Sequence, residues 1–369
     1  MNSTHVTEAL AVQAGTQVTP SSLPPAVTSP AAWVGADIAK GEQWVAVLAD
    51  AEIAEVEQAI NSVLSSGTDL RTLNPERFPL PQLAKRLENL RHDLLHGLGF
   101  AVLRGLPVQR WNAEQSAAAC LGLGAHIGLV RSQNGKGHLL GHVQDLGRDA
   151  VNDPTARIYQ TTERQTFHTD SCDVVSLLCL KTAKRGGESA LVSSMTVYNE
   201  MLARRPDLLA ELFQPMHTDR RGEIPAGEKP WHEIPVFSWY EGALSALYAR
   251  RYIDSARRFD EVPAFTPAQK EALDMFDSLA EDLDLGLRLS FEPGDMQWVH
   301  NHTMLHDRTA FEDWEDPADK RHLLRLWLAV PGARPLPAVY AQRFGSTTIG
   351  DRGGIELPGV EHQIPFAAV

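Results

Sequence analysis

The chain has 369 residues, of which 43% are hydrophobic and 22% charged. That balance suits a folded protein with one large domain or two modest ones, whose core needs no disulfide framework. Lys and Arg total 34 against 47 Asp and Glu, a net charge of −13, and an acidic surface repels phosphate backbones, so nucleic acid is not an expected partner.

The first thirty residues are rich in Ser, Thr, Pro and Ala and carry no Lys or Arg; they read as a mobile arm and not as a signal peptide. No stretch has the roughly eighteen apolar residues of a membrane span. Cys120, Cys172 and Cys179 form no CxxC pair, which fits a reducing cytoplasm. Self-association is left open. Asp50 is the expected cap of a helix with Ile53, Val56, Ile60, Val63 and Leu64 on one face, ended by Gly67. Leu83, Leu87, Leu90 and Leu94 mark a second helix, and Phe100–Leu103 a strand. A third helix covers Asn112 to about Leu123.

Strands follow at Arg157–Thr161, Val174–Lys181, Ser189–Ser193, Ala243–Tyr248, Leu287–Phe291, Met296–Asn301 and Leu323–Val330. Helices interrupt them at Ser194–Arg204 and after Thr266, where Pro267 and Gln269 complete a capping box. The pattern is that of a large α+β domain around an antiparallel barrel or sandwich. Neither GxGxxG nor GxxxxGK[ST] occurs, so a nucleotide-binding parallel sheet is not expected.

His168-Thr169-Asp170 is preceded by the Arg157–Thr161 strand candidate and followed by a strongly apolar strand, so its loop is anchored at both ends. In extended backbone residues i and i+2 share a side, so this imidazole and carboxylate can converge on one cation. They supply two thirds of a 2-His-1-carboxylate triad, which leaves coordination positions open on Fe(II). A second copy, His217-Thr218-Asp219, sits beside Arg220 and Arg221 and reads as surface polar residues with local ion pairs. For the third ligand, His300, His302 and His306 lie in one segment. His306, in the loop expected beyond the Met296–Asn301 strand, is preferred, with His302 as fallback. Further on, Arg321, Leu323, Arg325 and Trp327 share one face of a strand and His322, Leu324, Leu326 and Leu328 the other. Two guanidiniums on an apolar face call for an anion, most naturally a carboxylate. The acidic run Glu312, Asp313, Glu315, Asp316 and Asp319 is the competing partner.

Between about Leu98 and Phe344 the chain resembles the taurine dioxygenase (TauD/TfdA) family of Fe(II)- and 2-oxoglutarate-dependent oxygenases. The resemblance rests on His168–Asp170, Gly186-Gly187-Glu188-Ser189, His306 and Arg321-xxx-Arg325. It implies a double-stranded β-helix (a cupin-like jelly roll) with flanking helices, and a single domain over residues 31–369. It also implies that His168, Asp170 and His306 hold Fe(II), and that Arg321 and Ser189, the latter in place of the family's usual Thr, receive the distal carboxylate of 2-oxoglutarate. Arg325 would face the other carboxylate or a substrate anion. The implied reaction uses O2, releases succinate and CO2 and hydroxylates a small, anionic organic molecule. A metal-dependent, hydrolase-like barrel without 2-oxoglutarate and a non-catalytic ligand-binding barrel are the alternatives.

For the substrate, Arg131–His142 reads as a lid or an ordinary surface loop, with Gln133 and Asn134 as contacts. Tyr159, Thr161, Asp173 and Trp298 lie near the motifs and are expected to line the pocket.

Overall fold

Two sheets organise the structure, a computed structural model that describes residues 22–148 and 157–368. In chain order their strands are β1 (Val45–Val47), β2 (Phe100–Arg104), β3 (Leu129–Arg131), β4 (Gly141–Val143), β5 (Gln165–His168) and β6 (Val174–Lys181). They continue with β7 (Ser189–Ser193), β8 (Gly286–Leu289), β9 (Met296–His300), β10 (Met304–Arg308) and β11 (His322–Ala329). The longer helices are α1 (Asp50–Ser65), α2 (Ala84–His96), α3 (Ala113–Ala125), α4 (Ser194–Arg204) and α5 (Pro267–Ala280).

The larger sheet runs β1-β2-β9-β6-β11-β3, with β4 also paired to β11. Only its β1–β2 pair is parallel. The smaller sheet is antiparallel throughout, in the order β8-β7-β10-β5. Together they form the expected α+β jelly roll with flanking helices.

The alternation along β11 explains the layering, because successive side chains in a strand leave opposite faces. Leu324, Leu326 and Leu328 join Val174, Leu178, Met296 and Trp298 against Val56 and Ile60 of α1, Leu87 and Leu90 of α2 and Cys120 of α3. On the opposite face, Trp327 packs between the sheets with Val175, Val299, Leu191, Val192 and Leu305. Leu323 closes a small cluster with Val143 and Cys179. The arginines of this strand thus point between the sheets, where water is scarce.

Several local expectations hold with small shifts. Ala49, not Asp50, is the N-cap of α1, and the Glu52 carboxylate accepts the Ala49 backbone N–H at 2.8 Å. Asn112 and Gln115 make reciprocal bonds of 2.8 and 2.9 Å at the start of α3. Thr266 and Gln269 do the same for α5.

Three expectations are corrected. Arg157–Thr161 is not a strand; its centre, Ile158–Gln160, is a 3-10 turn, and the strand lies later, at β5. His306 is not in a loop but in the middle of β10. The arm, expected over residues 1–30, does not extend that far as a free segment. Asn199 of α4 accepts the Val27 N–H at 2.8 Å and donates to the Val27 carbonyl at 2.9 Å, and the Tyr198 hydroxyl donates to the Pro24 carbonyl. Residues 1–21 lie outside the described residues. No described helix is long and apolar enough to cross a membrane.

Candidate active site

β5 and β10 are antiparallel neighbours, and their register sets His168 directly opposite His306, with ring centroids 4.1 Å apart. Asp170, two residues after His168, turns its carboxylate toward the same point, Oδ2 lying 3.8 Å from His306 Nε2. One ligand atom from each of the three falls within 4.8 Å of the others, and among the described residues no other His, Cys, Asp or Glu group does so.

The surroundings fit a cation. His168 Nδ1 bonds the Thr166 carbonyl at 2.8 Å, which fixes that nitrogen as the donor and presents Nε2 as a lone pair. At present the Gln165 amide donates to that Nε2 at 2.8 Å; a metal and this amide compete for one lone pair. Burial and the neighbouring His168 push the His306 pKa down to about 3, so its imidazole is neutral and able to ligate. Burial acts to raise the Asp170 pKa, but Arg325, the two histidines and the Trp327 indole together hold it below the usual value. Trp327 Nε1–H donates to Asp170 Oδ2 at 2.8 Å, and Asn301 Oδ1 accepts the Asp170 backbone N–H at 2.9 Å.

Two cavities meet at this trio. The smaller, about 40 Å³, is walled by Ser189, His306, Arg308, Arg321, Leu323 and Arg325 among others. The larger, about 440 Å³, contains Asp170, Trp327 and Gln133 in its wall. His168, Gln165, Tyr159 and Arg325 border both. Arg321 is buried with its Nη1 lacking any hydrogen-bond partner, and burial drops its pKa to about 10. Asp313 accepts the Arg321 backbone N–H, yet the guanidinium pairs with none of the acidic run. Arg308, unforeseen in the sequence, stands beside it. Its Nε is also orphaned, and burial together with the Arg321 charge lowers its pKa to about 9. Gly187 makes room for Arg321: a Cβ there would sit 2.9 Å from the Arg321 Nε, at a φ of +74°.

Arg325 is held from several sides. Gln133 accepts its Nε–H at 2.8 Å and donates to its carbonyl at 2.7 Å, the Tyr159 ring lies 4.7 Å from its guanidinium carbon, and Asp170 is 3.7 Å away. Gln133 and Tyr159 therefore reach the site as expected. Four other expected contacts do not. Asn134 folds back to cap Lys136 and borders an outer cavity. Thr161 is buried, with its carbonyl accepting from Arg308, and lines neither site cavity. Trp298 is in the core under the helices. Asp173 is fully buried, ion-paired with Arg352 at 2.8 Å and hydrogen-bonded to His302 at 2.9 Å. That same pairing removes His302 as a ligand. The Arg131–His142 segment is neither lid nor free loop, because Leu139 and Gly137 exchange backbone bonds with Gln363 at 2.9 and 2.8 Å.

The second His-Thr-Asp is a structural element. His217–Asp219 pairs with Trp231–Glu233, and Asp219 is buried instead of lying at the surface. It receives Arg258 Nε at 3.0 Å and Ser255 Oγ at 2.9 Å.

A model of the family described as taurine catabolism dioxygenase TauD, TfdA matches residues 66–327. The chain belongs to this family. It is 35% identical over 316 residues to FR-33289 synthase of Streptomyces rubellomurinus (strain ATCC 31215), covering 84% of this chain and 92% of that one. It is 32% identical over 304 residues to taurine hydroxylase-like protein SAT17 of Stachybotrys chartarum (strain CBS 109288 / IBT 7711), covering 80% and 77%. In fold it is similar to an asparagine oxygenase solved with Fe(II), (2S,3S)-3-hydroxyasparagine and succinate, with a TM-score of 0.61 at 19% identity over 78% of this chain and 93% of that one. This TauD/TfdA chain is an Fe(II)- and 2-oxoglutarate-dependent oxygenase of a small molecule, with O2 as oxidant. The hydrolase-like and non-catalytic alternatives are set aside.

Proposed function

We propose that this oxygenase hydroxylates a small anionic organic substrate, and that His168, Asp170 and His306 hold its iron. The observation that carries this reading is the placement of the trio at the seam of two cavities. The smaller cavity has the charge for a dicarboxylate, and the larger has room for a substrate. Iron with 2-oxoglutarate and O2 supplies the oxidation, giving succinate, CO2 and a hydroxylated carbon. The chain's own groups bind and orient. Arg321, with the Ser189 hydroxyl on the same wall, takes the distal carboxylate of 2-oxoglutarate. Arg325, pinned by Gln133, keeps a fixed positive charge between the metal and the larger cavity.

Residues 31–369 act as a single catalytic domain, with its core over about 98–344; support comes from Arg343 and Ile355 standing in the same cavity wall as His168. Three buried, unpaired cysteines support a cytoplasmic location.

The test is Fe(II)–2-oxoglutarate charge-transfer absorption together with succinate release. His168→Ala is expected to abolish both and His217→Ala to preserve both. The opposite pattern would place the iron at His217-Thr218-Asp219 instead.

A further inference from the structure

The larger cavity contains a second cationic centre that the iron site does not use. Arg157, Arg220, Arg343 and His232 stand in its wall. Arg343 donates from Nε to Ser171 Oγ at 2.8 Å, one residue beyond Asp170, so this centre adjoins the metal trio. Among the described residues its terminal nitrogens have no hydrogen-bond acceptor; Glu223 lies 3.9 Å away. Arg220 is almost fully buried. Its Nε donates to the Lys229 carbonyl at 3.0 Å, and its nearest carboxylate, Glu228, is half exposed at 3.6 Å. Arg157 pairs with Glu223 at 2.8 Å. His232, buried beside them, has an Nδ1 with no partner.

Arg157 and Arg343 share one carboxylate, the mostly buried Glu223, and the carboxylate near Arg220, Glu228, stands half exposed outside the cavity wall, so the charge lining this part of the cavity is 3 − 1 = +2. The rest of the wall does not offset this excess, because its other guanidiniums, Arg164, Arg250, Arg251 and Arg325, outnumber its other carboxylates, Asp170, Asp219 and Asp254. Burying like charges together is costly without a counter-ion. Burial and the Arg343 charge hold Arg220 below its ordinary range, and burial, ahead of both arginines, keeps His232 uncharged. Guanidinium forks arranged this way suit an anion with several equivalent oxygens and two charges.

We propose that Arg157, Arg220 and Arg343, with His232, form the receptor for a –PO₃²⁻ group carried by the substrate, which sets the target carbon over the iron site. The proposal rests on the reading of this cavity as the substrate site of the oxygenase. A carboxylate or sulfonate, with one charge, leaves half of the excess unmatched.

The test uses the full-length protein in phosphate-free buffer and titration calorimetry. Inorganic phosphate, methyl phosphate and methylphosphonate are the dianionic probes, with methanesulfonate and acetate as monoanionic ones. At least one of the two methyl-bearing dianions, and phosphate itself, is expected to bind tenfold or more tightly than either monoanion; preference between the two methyl compounds identifies the carrier as an ester or a phosphonate. Arg343→Gln and Arg220→Gln are each expected to weaken phosphate at least tenfold while Fe(II)–2-oxoglutarate absorption persists. Glu223→Gln should tighten it. Equal binding of phosphate and methanesulfonate by the unmodified protein, which needs no variant to fold, overturns the proposal, as does phosphate affinity unchanged in Arg343→Gln. Loss of the charge-transfer absorption from the unmodified protein would instead remove the oxygenase reading on which the proposal rests.

Discussion

Arg321 is a buried cation whose Nη1 bonds nothing and whose nearest backbone acceptor, the Gly187 carbonyl, is 3.4 Å away. Removing a charge-assisted bond costs about 1.5–3 kcal/mol. Arg321→Gln should therefore raise the 2-oxoglutarate concentration for half-maximal activity by roughly 10- to 150-fold, with iron still bound. Unchanged dependence would move that role to Arg308 or Arg325. Gly187→Ala should act in the same direction, because its Cβ would collide with Arg321 Nε at 2.9 Å on a backbone that only glycine adopts easily. Trp327→Phe removes the indole bond to Asp170 and should weaken iron binding about tenfold by equilibrium dialysis, a loss typical of partners that orient a metal ligand. Of these residues, His168, Asp170 and Arg321 were legible because short spacings encode shared faces. Arg308 was not: it shares a strand with His306 at i+2, and the sequence pattern around it predicts a loop.

The strand β11 shows why some elements were legible. It is apolar on one side and interrupted by arginines on the other, so a period of two reads directly. β5 lacks that signal. It is an edge strand of only four residues, Gln165–His168, paired with β10 and otherwise only by a lone bridge from His168 to Ala249, and edge strands tolerate polar side chains. The more apolar Arg157–Thr161 carries the stronger strand signal, yet Ile158–Gln160 closes as a 3-10 turn. Arg157, Arg220, His232 and Arg343 come from four separate segments with no common spacing, so no local pattern could gather them. Helix ends were easier, since a cap and its partner are three residues apart. Asn112→Ala should lower unfolding stability by about 1 kcal/mol, measured by denaturant melt, without changing turnover.

At the scale of the whole molecule, a chain with net charge −13 concentrates arginines around its cavities and encloses several of its histidines in the interior. The pKa values of His306 and His322 are pushed down to about 3 and about 4, with burial the leading cause in both, and those of His232 and His300 fall well below the ordinary value. Such groups bind protons in the unfolded chain before they do so in the folded one. Stability of the metal-free protein should thus be full near neutrality and fall as pH drops from about 6.5 toward 4, by up to about 1.4 kcal/mol per pH unit for each histidine. Asp277 and Asp307, whose pKa values burial raises, oppose this in the lower part of that window. A flat melting temperature between pH 7 and 4.5 would show that these imidazoles are not held neutral.

The opposition of His168 and His306 across β5 and β10 joins chain positions 306 − 168 = 138 residues apart. An iron ion held by both, and by Asp170, would be a cross-link closing a long loop of the chain, and it would do so at an edge strand of the smaller sheet. Metal content then governs local opening as well as turnover. Chelation should hasten proteolytic cleavage around 157–170 selectively, leaving the helix-covered sheet as resistant as before, and restored Fe(II) should reverse the effect.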